Sequence, residues 1–330
     1  MIEVSNLVKL YGSKYALDNV SFSVGDREVL GFLGPNGAGK STAMNIMTGY
    51  LSANSGNVKI GGVDVAEKPD EAKKLIGYLP EQPPLYTEMK VCEYLDFVYE
   101  LKGCKFNRRQ HLDEILKVTR LSQVSGRLIK NLSKGYRQRV GIAQALVGDP
   151  KVLIFDEPTV GLDPKQIIEI RNLIRRLGRD HTVVLSTHIL SEVQAVCDRI
   201  VIINEGRILA DEKTEDINRT IDRNTRYRVK ICGPQPQVME TLRSIEGAAH
   251  VEASGDRERD CYTYHIESSP GTDVRKPLFF AMAEKGWPII GLEQEGLTLE
   301  EVFIRLTDGS GQAERGRRGR RESYGKGDNR

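Results

Sequence analysis

The 330-residue sequence lacks any apolar run approaching the roughly 18 residues that a membrane-spanning helix requires. Its opening residues, MIEVSNLVKLYG, also lack the basic and then apolar segments of a signal peptide. We therefore expect no transmembrane helix, and any contact with a membrane would go through a partner. Hydrophobic residues at 39% and charged residues at 28% are typical of a globular protein.

Cysteine is scarce, and its spacing excludes two common uses. The five cysteines, Cys92, Cys104, Cys197, Cys232 and Cys261, are scattered and contain no C-x-x-C pair. An odd number of widely spaced cysteines argues against both a disulfide framework and a zinc site. This pattern favours a reducing cytoplasm.

A surplus of one charge is also missing from most of the chain. The net charge of +2 comes from the segment Gly309–Arg330, which holds seven basic and three acidic residues and leaves 41 basic and 43 acidic residues elsewhere. A nearly neutral body weakens a nucleic-acid-binding hypothesis based on overall charge. The tail is too polar to bury a core, which favours solvated disorder, with contact to acidic lipid headgroups or nucleic acid as the alternative.

The most informative motif present is GPNGAGKST at Gly34–Thr42, which matches G-x-x-x-x-G-K-[ST] in full. Such a loop points successive backbone N–H groups at a phosphate chain, aided by the helix that begins at Lys40. Lys40 would reach the outer phosphates, and the Ser41 hydroxyl would be a ligand for Mg²⁺. The predicted nucleotide-binding residues of the loop are Gly34, Pro35, Asn36, Gly37, Ala38, Gly39, Lys40, Ser41 and Thr42.

The alternative is an ordinary glycine-rich turn before a helix, and the sequence context argues against it. The apolar run Val29–Leu33 predicts a buried strand, and the apolar residues after the loop fit one side of a helix. A phosphate loop needs this strand–loop–helix setting.

Two adjacent carboxylates follow another apolar run, in KVLIFDEP. The residues Val152–Phe155 predict a buried parallel strand that ends at Asp156 and Glu157, where an open α/β sheet binds its ligands. Asp156 suits Mg²⁺, and Glu157 suits orientation or deprotonation of an attacking water. If the chain stays extended there, the two side chains point to opposite sides. His188 leaves the next predicted strand on the same side, although a lone histidine is more often structural.

Three further features carry little information when each is taken alone. Tyr11 lies in a loop near the phosphate loop, where it would either pack or stack on a purine. Gln82 lies in a loop with three prolines. Ser133, followed by Gly135 in NLSKGYRQR, would cap a helix whose N-terminus could attract an anion, but taken alone the motif is more often an ordinary capped helix.

In this order, the motifs resemble those of the ATP-binding subunit of an ATP-binding-cassette (ABC) transporter over residues 1 to about 220. The resemblance implies that ATP and Mg²⁺ are the cofactors and that Glu157 is the catalytic base. His188 would contact the γ-phosphate, while Gln82 and Asp156 would serve the metal and hydrolysis. Tyr11 and the Gly161–Asp163 loop, including Asp163, would complete the nucleotide site.

The resemblance also implies a head-to-tail dimer. Ser133 and Gly135 of one protomer would contact the γ-phosphate held by the phosphate loop of the other. The family's usual signature is LSGGQ, whereas this chain has LSKGY at Leu132–Tyr136. Lys134 and Tyr136 depart from it, so only Ser133 and Gly135 take over the family's roles.

The fold expected is α/β: a P-loop cassette with a mixed sheet at residues 1–220, and a helical signature subdomain at about 87–148. Alternating apolar residues in 221–308 predict a strand–helix–strand–strand–helix–strand order, which defines a small ferredoxin-like α+β domain. A capping box at Thr298 predicts a final helix. The ending TLEEVFIRLT is similar to those in the branch serving multidrug, sodium-type and gliding-motility exporters. The disordered tail would occupy 309–330.

The sequence therefore predicts an ATPase subunit that drives export through a separate membrane permease. Expected partners are that permease and a second cassette, identical or paired, at the cytoplasmic face of the membrane, with no specific nucleic acid. The alternative is a cassette ATPase acting on nucleic acid or ribosomes, although the coiled-coil insertion, zinc cysteines or second cassette usual there are missing. A GTPase or kinase lacks support because no N-K-x-D sequence is present.

Overall fold

A computed structural model describes residues 1–216, 226–258, 260–269 and 271–295. The chain divides into two units, Met1–Thr214 and Glu215–Arg330. The helix expected from Thr298 and the basic tail lie outside the described residues.

A six-stranded sheet forms the centre of the first unit. Its strands are β3 (Val29–Leu33), β6 (Ile76–Leu79), β7 (Val152–Asp156), β8 (Thr182–Thr187), β9 (Arg199–Asn204) and β10 (Arg207–Lys213). The order is β10-β9-β3-β8-β7-β6, with β10 antiparallel to β9 and the other neighbours parallel. Strands β3 and β7 are buried along their whole length, as their continuous apolar sequences predict. The carboxyl ends of the parallel strands consequently share one edge.

An antiparallel sheet packs against this centre. It consists of β1 (Ile2–Tyr11), β2 (Lys14–Val24), β4 (Ser55–Ile60) and β5 (Val63–Asp64), in the order β2-β1-β4-β5. Phe22 from this sheet meets Phe32 of the central sheet with ring centroids 5.3 Å apart, and Met44 joins the same buried cluster. Burying a side chain of this size contributes about 1.5–3 kcal/mol. The shared core fixes the β3 end, where the phosphate loop begins.

Seven helices of the described first unit connect the strands. They are α1 (Lys40–Met47), α2 (Pro69–Lys74), α3 (Val91–Leu101), α4 (Arg108–Val118), α5 (Lys134–Leu146), α6 (Pro164–Leu177) and α7 (Leu190–Val196). Helices α3 to α5 lie between β6 and β7, where the helical insertion was expected. In α3, Val91, Leu95 and Val98 are buried at helical spacing. No helix in the described ranges is long and apolar enough to cross a membrane.

The second unit has the ferredoxin-like order expected from its alternating apolar residues. Its elements are β11 (Arg226–Cys232), α8 (Gln235–Arg243), β12 (Ala248–Glu258), β13 (Cys261–Ser268), α9 (Arg275–Glu284) and β14 (Ile289–Glu295). The sheet is antiparallel in the order β12-β13-β11-β14. Tyr227, Val229 and Ile231 alternate into the buried core with Leu242 and Leu278 from the two helices. The sheet therefore has one face covered by helices.

The cysteines correct one expectation. Cys232 and Cys261 are joined by a disulfide, while Cys92, Cys104 and Cys197 are free. The bonded pair are direct partners across β11 and β13. Register between strands brought these two residues together, and spacing along the chain does not reveal register.

Candidate active site

The phosphate loop connects β3 to α1, and its glycines are required by close backbone approach. A Cβ on Gly34 would lie 2.3 Å from the carbonyl oxygen of Ile203, and one on Gly39 would lie 2.4 Å from that of Ala16. Gly39 also has a φ of 109°, which other residues rarely adopt. The loop is thus held tightly between β2 and β9, with Lys40 as the first residue of α1.

The Lys40 side chain is buried and folds back over the loop. Its Nζ donates to the carbonyl oxygens of Gly34 at 2.7 Å and Pro35 at 3.2 Å. The same Nζ lies 3.6 Å from Oε1 of Glu157, and both side chains are less than a tenth exposed. A buried ammonium requires such partners because desolvation is costly. The loop cation and the predicted base are therefore in direct contact.

Glu157 occupies a strained turn at the end of β7. The strand ends at Asp156, and Glu157 has a left-handed φ of 48°. Its backbone N–H donates to the carbonyl oxygen and the hydroxyl oxygen of Ser186, at 3.1 and 3.2 Å. The expectation of an extended chain through both carboxylates is wrong, because this turn directs Glu157 toward the loop. A non-glycine residue held in such a conformation often marks a functional site.

His188 meets the same carboxylate from the end of β8. Its Nδ1 lies 3.0 Å from both Oε1 and Oε2 of Glu157, and its side chain is about two-fifths exposed. The parallel pairing of β7 with β8 places both strand ends side by side. Lys40, Glu157 and His188 thus form one contiguous group.

Asp156 lies beside this group. It is 3% exposed and accepts a hydrogen bond from the Ser186 hydroxyl. Burial, with the Asp156 charge as a second cause, raises the pKa of Tyr78 well above its usual range. Tyr78 therefore stays neutral and donates to Oδ1 of Asn45 at 3.2 Å.

The oxygens of Asp156 and Ser41 fit Mg²⁺. Magnesium prefers hard oxygen ligands and usually keeps several waters while binding one or two protein groups plus phosphates. Within the described residues, no three His, Cys, Asp or Glu side chains cluster as a metal cage. A hydroxyl oxygen and a carboxylate oxygen are the ligand types that this magnesium coordination uses.

A cavity of about 550 Å³ lies over the phosphate loop. It is lined by Tyr11, Lys14, Ala16, Asn36, Gly37, Gly39, Lys40, Ser41, Thr42, Glu81, Glu157, Val160 and His188. Tyr11 is half exposed, and the Nζ of Lys9 lies 5.6 Å from its ring centroid. An exposed ring at the rim is free to stack on a base. Sequence reasoning did not single out Lys14, Glu81 or Val160, because no motif marks them.

Gln82 faces a different cavity of about 530 Å³, on the other side of the loop after β6. Asn45, Tyr50, Tyr78 and Lys102 also line it. The structure thus places the neighbouring Glu81, rather than Gln82, at the cavity over the phosphate loop. The metal and catalytic roles of Gln82 stay predictions.

Ser133 and Gly135 are remote from the phosphate loop of their own chain. Ser133 caps α5 by accepting from the Tyr136 N–H at 3.4 Å. A Cβ on Gly135 would lie 2.6 Å from the Gln166 side chain, and both residues line a separate cavity of about 420 Å³. Within a single chain, Ser133 and Gly135 therefore do not line the cavity over the phosphate loop.

The Gly161–Asp163 loop lies next to this cap. Asp163 accepts from the Gln166 N–H at 2.9 Å and so caps α6. Gly161 has a φ of 67°, and a Cβ there would lie 2.1 Å from the Nζ of Lys134. The signature lysine that departs from the family pattern thus lies across the Gly161 backbone.

One buried carboxylate near the site escaped sequence reasoning. Glu192 on α7 is 1% exposed and accepts hydrogen bonds from Thr159 at 2.5 Å and Thr187 at 2.8 Å. The available signal was a single acidic residue among Leu190, Val193 and Val196 in the helix just after His188. An isolated acid of this kind is usually solvent-exposed, so nothing in the sequence distinguishes it from a surface residue.

Comparison with known proteins places these features in context. Residues 17–160 match the ABC transporter family. The bacitracin transport ATP-binding protein BcrA of Bacillus licheniformis is 34% identical over 311 residues, which cover 94% of this chain and 98% of that protein. The Nod factor export ATP-binding protein I of Rhizobium meliloti is 32% identical over 309 residues, covering 93% and 88%.

Solved structures show the same similarity. The dimeric post-hydrolysis state of the ATP-binding cassette MJ0796, bound to ADP and Pi, has a TM-score of 0.59 and 30% identity. The alignment covers 65% of this chain and 99% of that chain. An ATP-binding subunit of an ABC transporter gives a TM-score of 0.61 at 32% identity, over 67% and 92%.

Proposed function

Because the chain belongs to the family of ABC transporter ATP-binding subunits, we propose that Lys40, Glu157 and His188 form its hydrolytic centre. The protein binds and hydrolyses ATP to drive transport. The observation that carries the residue assignment is the contact of Glu157 with both Lys40 and His188 at the cavity over the phosphate loop. A base, a cation and a histidine would then lie where the outer phosphate of ATP binds.

In this proposal each side chain has a separate role. Lys40 binds the outer phosphates, and the backbone N–H groups of Gly37–Ser41 hold the rest of the chain. Glu157 orients and deprotonates the attacking water, and His188 contacts the γ-phosphate and holds the Glu157 carboxylate in place. Ser41 and Asp156 would hold Mg²⁺, which supplies neutralisation of phosphate charge when bound.

A second cassette would complete each site. Family members form dimers, and Ser133 and Gly135 line a cavity separate from the one over their own phosphate loop. A head-to-tail pair, of two identical chains or of two related cassettes, brings the signature of one protomer to the ATP of the other. The capped N-terminus of α5 then offers N–H groups to the γ-phosphate.

The permease would dock around the cavity that Gln82 lines. Aromatic side chains flank it. The buried Tyr94, whose hydroxyl donates to Gln144 in the cavity wall, packs edge-on against the exposed Tyr86 at 6.0 Å between centroids. Tyr86 also packs against the exposed Phe97 at 5.4 Å, and Tyr50 is 84% exposed. Such a cluster of exposed rings marks an interaction surface. This surface would bring the subunit to the cytoplasmic face of the membrane, beside the loop that carries Gln82.

We propose that the chain serves an exporter branch of the family. This is supported by the full-length similarity to the bacitracin transport and Nod factor export proteins, and by the closing TLEEVFIRLT sequence. The alternative, action on nucleic acid or ribosomes, is not favoured, since the relatives reported above are transport proteins.

Copurification tests the partner. Gently solubilised native membranes should yield the chain together with a protein of several membrane spans, and this recovery should depend on the aromatic surface. Tyr86→Ala with Phe97→Ala should lose the partner but keep ATP binding. Recovery with ribosomes or DNA alone would contradict the transporter assignment.

A further inference from the structure

Glu192 is a buried acid on the helix that follows His188. The mechanism proposed above gives it no role. Its side chain is 1% exposed, and a carboxylate at such a position is costly unless every oxygen has a partner. Both oxygens have one. Oε1 accepts from the Thr159 hydroxyl at 2.5 Å, and Oε2 accepts from the Thr187 hydroxyl at 2.8 Å.

A cation supports the same carboxylate from outside. The guanidinium of Arg171 on α6 lies 3.6 Å from Oε1 of Glu192. This distance is too long for a strong hydrogen bond but close enough to stabilise the negative charge. Glu192 therefore accepts from two hydroxyls while Arg171 lies beside it.

The first threonine fixes the loop that carries Glu157. Thr159 is 4% exposed and follows Glu157 by two residues, in a turn where the Val160 N–H donates to the Glu157 carbonyl oxygen at 3.2 Å. Glu157 itself needs a left-handed φ of 48°. A bond from Thr159 to a buried carboxylate helps the chain to keep this unfavourable conformation.

The second threonine fixes the turn that carries His188. The Thr187 hydroxyl oxygen accepts from the Ile189 N–H at 3.1 Å while its hydrogen goes to Glu192. His188 lies between the two bonded residues. Glu192 thus orients the hydroxyl so that its lone pair closes the turn around His188.

We infer that Glu192 is a positioning residue for ATP hydrolysis: by holding Thr159 and Thr187 together, it sets the separation of Glu157 and His188. The two functional side chains lie on different loops, and their 3.0 Å contact spans those loops. Glu192 connects the same two loops through its hydrogen bonds with Thr159 and Thr187. A displacement of about 1 Å between reacting groups can cost on the order of a hundredfold in rate. This inference rests on the hydrolytic centre proposed above.

The chain supplies a closely matched control. Thr182 is at the opposite end of β8 from Thr187, is 1% exposed, and likewise donates once and accepts once. Its partners are the Gly25 carbonyl oxygen and the Arg27 N–H, away from the cavity. Thr182→Val therefore removes the same kind of buried hydroxyl from the same strand without touching the loops of Glu157 or His188.

The experiment compares Thr159→Val, Thr187→Val and Glu192→Gln in the full-length chain, with Thr182→Val as control. Each of the three should lower kcat for ATP at least tenfold, with KM and nucleotide Kd within about threefold of wild type. Thr159→Ser and Thr187→Ser keep the hydroxyl and should recover kcat. Thr182→Val should keep kcat, even if its unfolding midpoint falls as far as that of the site variants.

Nuclear magnetic resonance of the His188 ring gives a readout that does not need turnover. His188→Ala identifies the signal, which should move in both valine site variants and stay in place in Thr182→Val. The role of Glu192 would be overturned if the His188 signal stayed in place in both valine site variants. It would also be overturned if the site variants had the same kcat as Thr182→Val. Glu157→Gln separates this from the parent proposal: wild-type hydrolysis in that variant would remove the hydrolytic centre, whereas the spectra would still report on Glu192.

Discussion

Nζ of Lys40 lies 3.6 Å from Oε1 of Glu157, although 117 residues separate them in the sequence. The cation that would hold the outer phosphates and the carboxylate that would activate water are thus in one ion pair. Removing either side chain alters the electrostatic surroundings of the other, since both are buried.

Replacing Lys40 should weaken nucleotide binding. Lys40→Ala removes a charge-assisted contact worth about 1.5–3 kcal/mol, so the Kd for ATP should rise about ten- to a hundredfold by calorimetry. Lys14→Ala is the matched control, because Lys14 lines the same cavity from its rim. An unchanged Kd in Lys40→Ala would contradict the phosphate role.

Glu157→Gln should separate binding from hydrolysis. The amide keeps size and hydrogen bonding but lacks the basic oxygen, so steady-state hydrolysis should fall at least about a hundredfold. ATP affinity should persist, because the phosphates are held by the loop. Size-exclusion chromatography with Mg²⁺ and ATP should show a dimer that ADP does not support. Hydrolysis near the wild-type rate would exclude Glu157 as the base.

The backbone conformation of Gly161 predicts that replacing this residue lowers the stability of the chain. Gly161→Ala strains a backbone at φ 67° and places a methyl group 2.1 Å from the present position of Lys134 Nζ. It should lower the free energy of unfolding by more than about 1 kcal/mol. The Lys134 ammonium is the far end of an exposed, flexible side chain and can move aside, so Lys134→Ala in the same chain should leave this loss nearly unchanged. Chemical denaturation of both single variants and the double variant measures the two effects, and recovery of most of the loss in the double variant would show that the clash, rather than the backbone conformation, causes it.

His111 predicts a pH dependence of stability. Its Nε2 accepts from the Gly148 N–H at 3.0 Å, which only the neutral ring can do. Burial lowers the pKa of His111 and outweighs the raising effect of the nearby Asp149 and Glu114 carboxylates. A folded-state pKa below the unfolded value of about 6.5 means that protonation favours unfolding.

The stability of the first unit should therefore be fully present above about pH 7 and decline as the pH falls through 6.5 toward the lower folded-state pKa. His111→Gln should flatten that decline. Unfolding midpoints from pH 8 to pH 5.5 test this, with His250→Gln in the second unit as control. Parallel curves for wild type and His111→Gln would contradict the prediction.

The phosphate loop and the fold could be predicted because both follow local sequence rules. Continuous apolar runs gave β3 and β7, and alternation gave the strands of the second unit. The strand ends then placed Glu157 and His188 on one edge, because parallel strands share their carboxyl ends. These inferences need only the pattern of neighbours along the chain.

The features that sequence did not reveal depend on contacts between distant residues. The left-handed turn at Glu157 replaces the extended chain that was expected there. Glu192 is buried because two threonines from different loops surround it, and the disulfide exists because Cys232 and Cys261 are in register. The position of Gln82 away from the phosphate-loop cavity follows from how its proline-rich loop folds. Pattern and composition carry no information on such three-dimensional neighbours.

Ser133 and Gly135 line one cavity and the phosphate loop lines another, which has a consequence for mixtures of two variants. A pure preparation of Lys40→Ala has two damaged sites in every pair, and so has a pure preparation of Ser133→Ala. A mixed pair, however, combines the intact phosphate loop of one chain with the intact cap of the other. Blending two weakly active samples of subunits that pair with themselves should therefore restore turnover, up to one working site in each mixed pair.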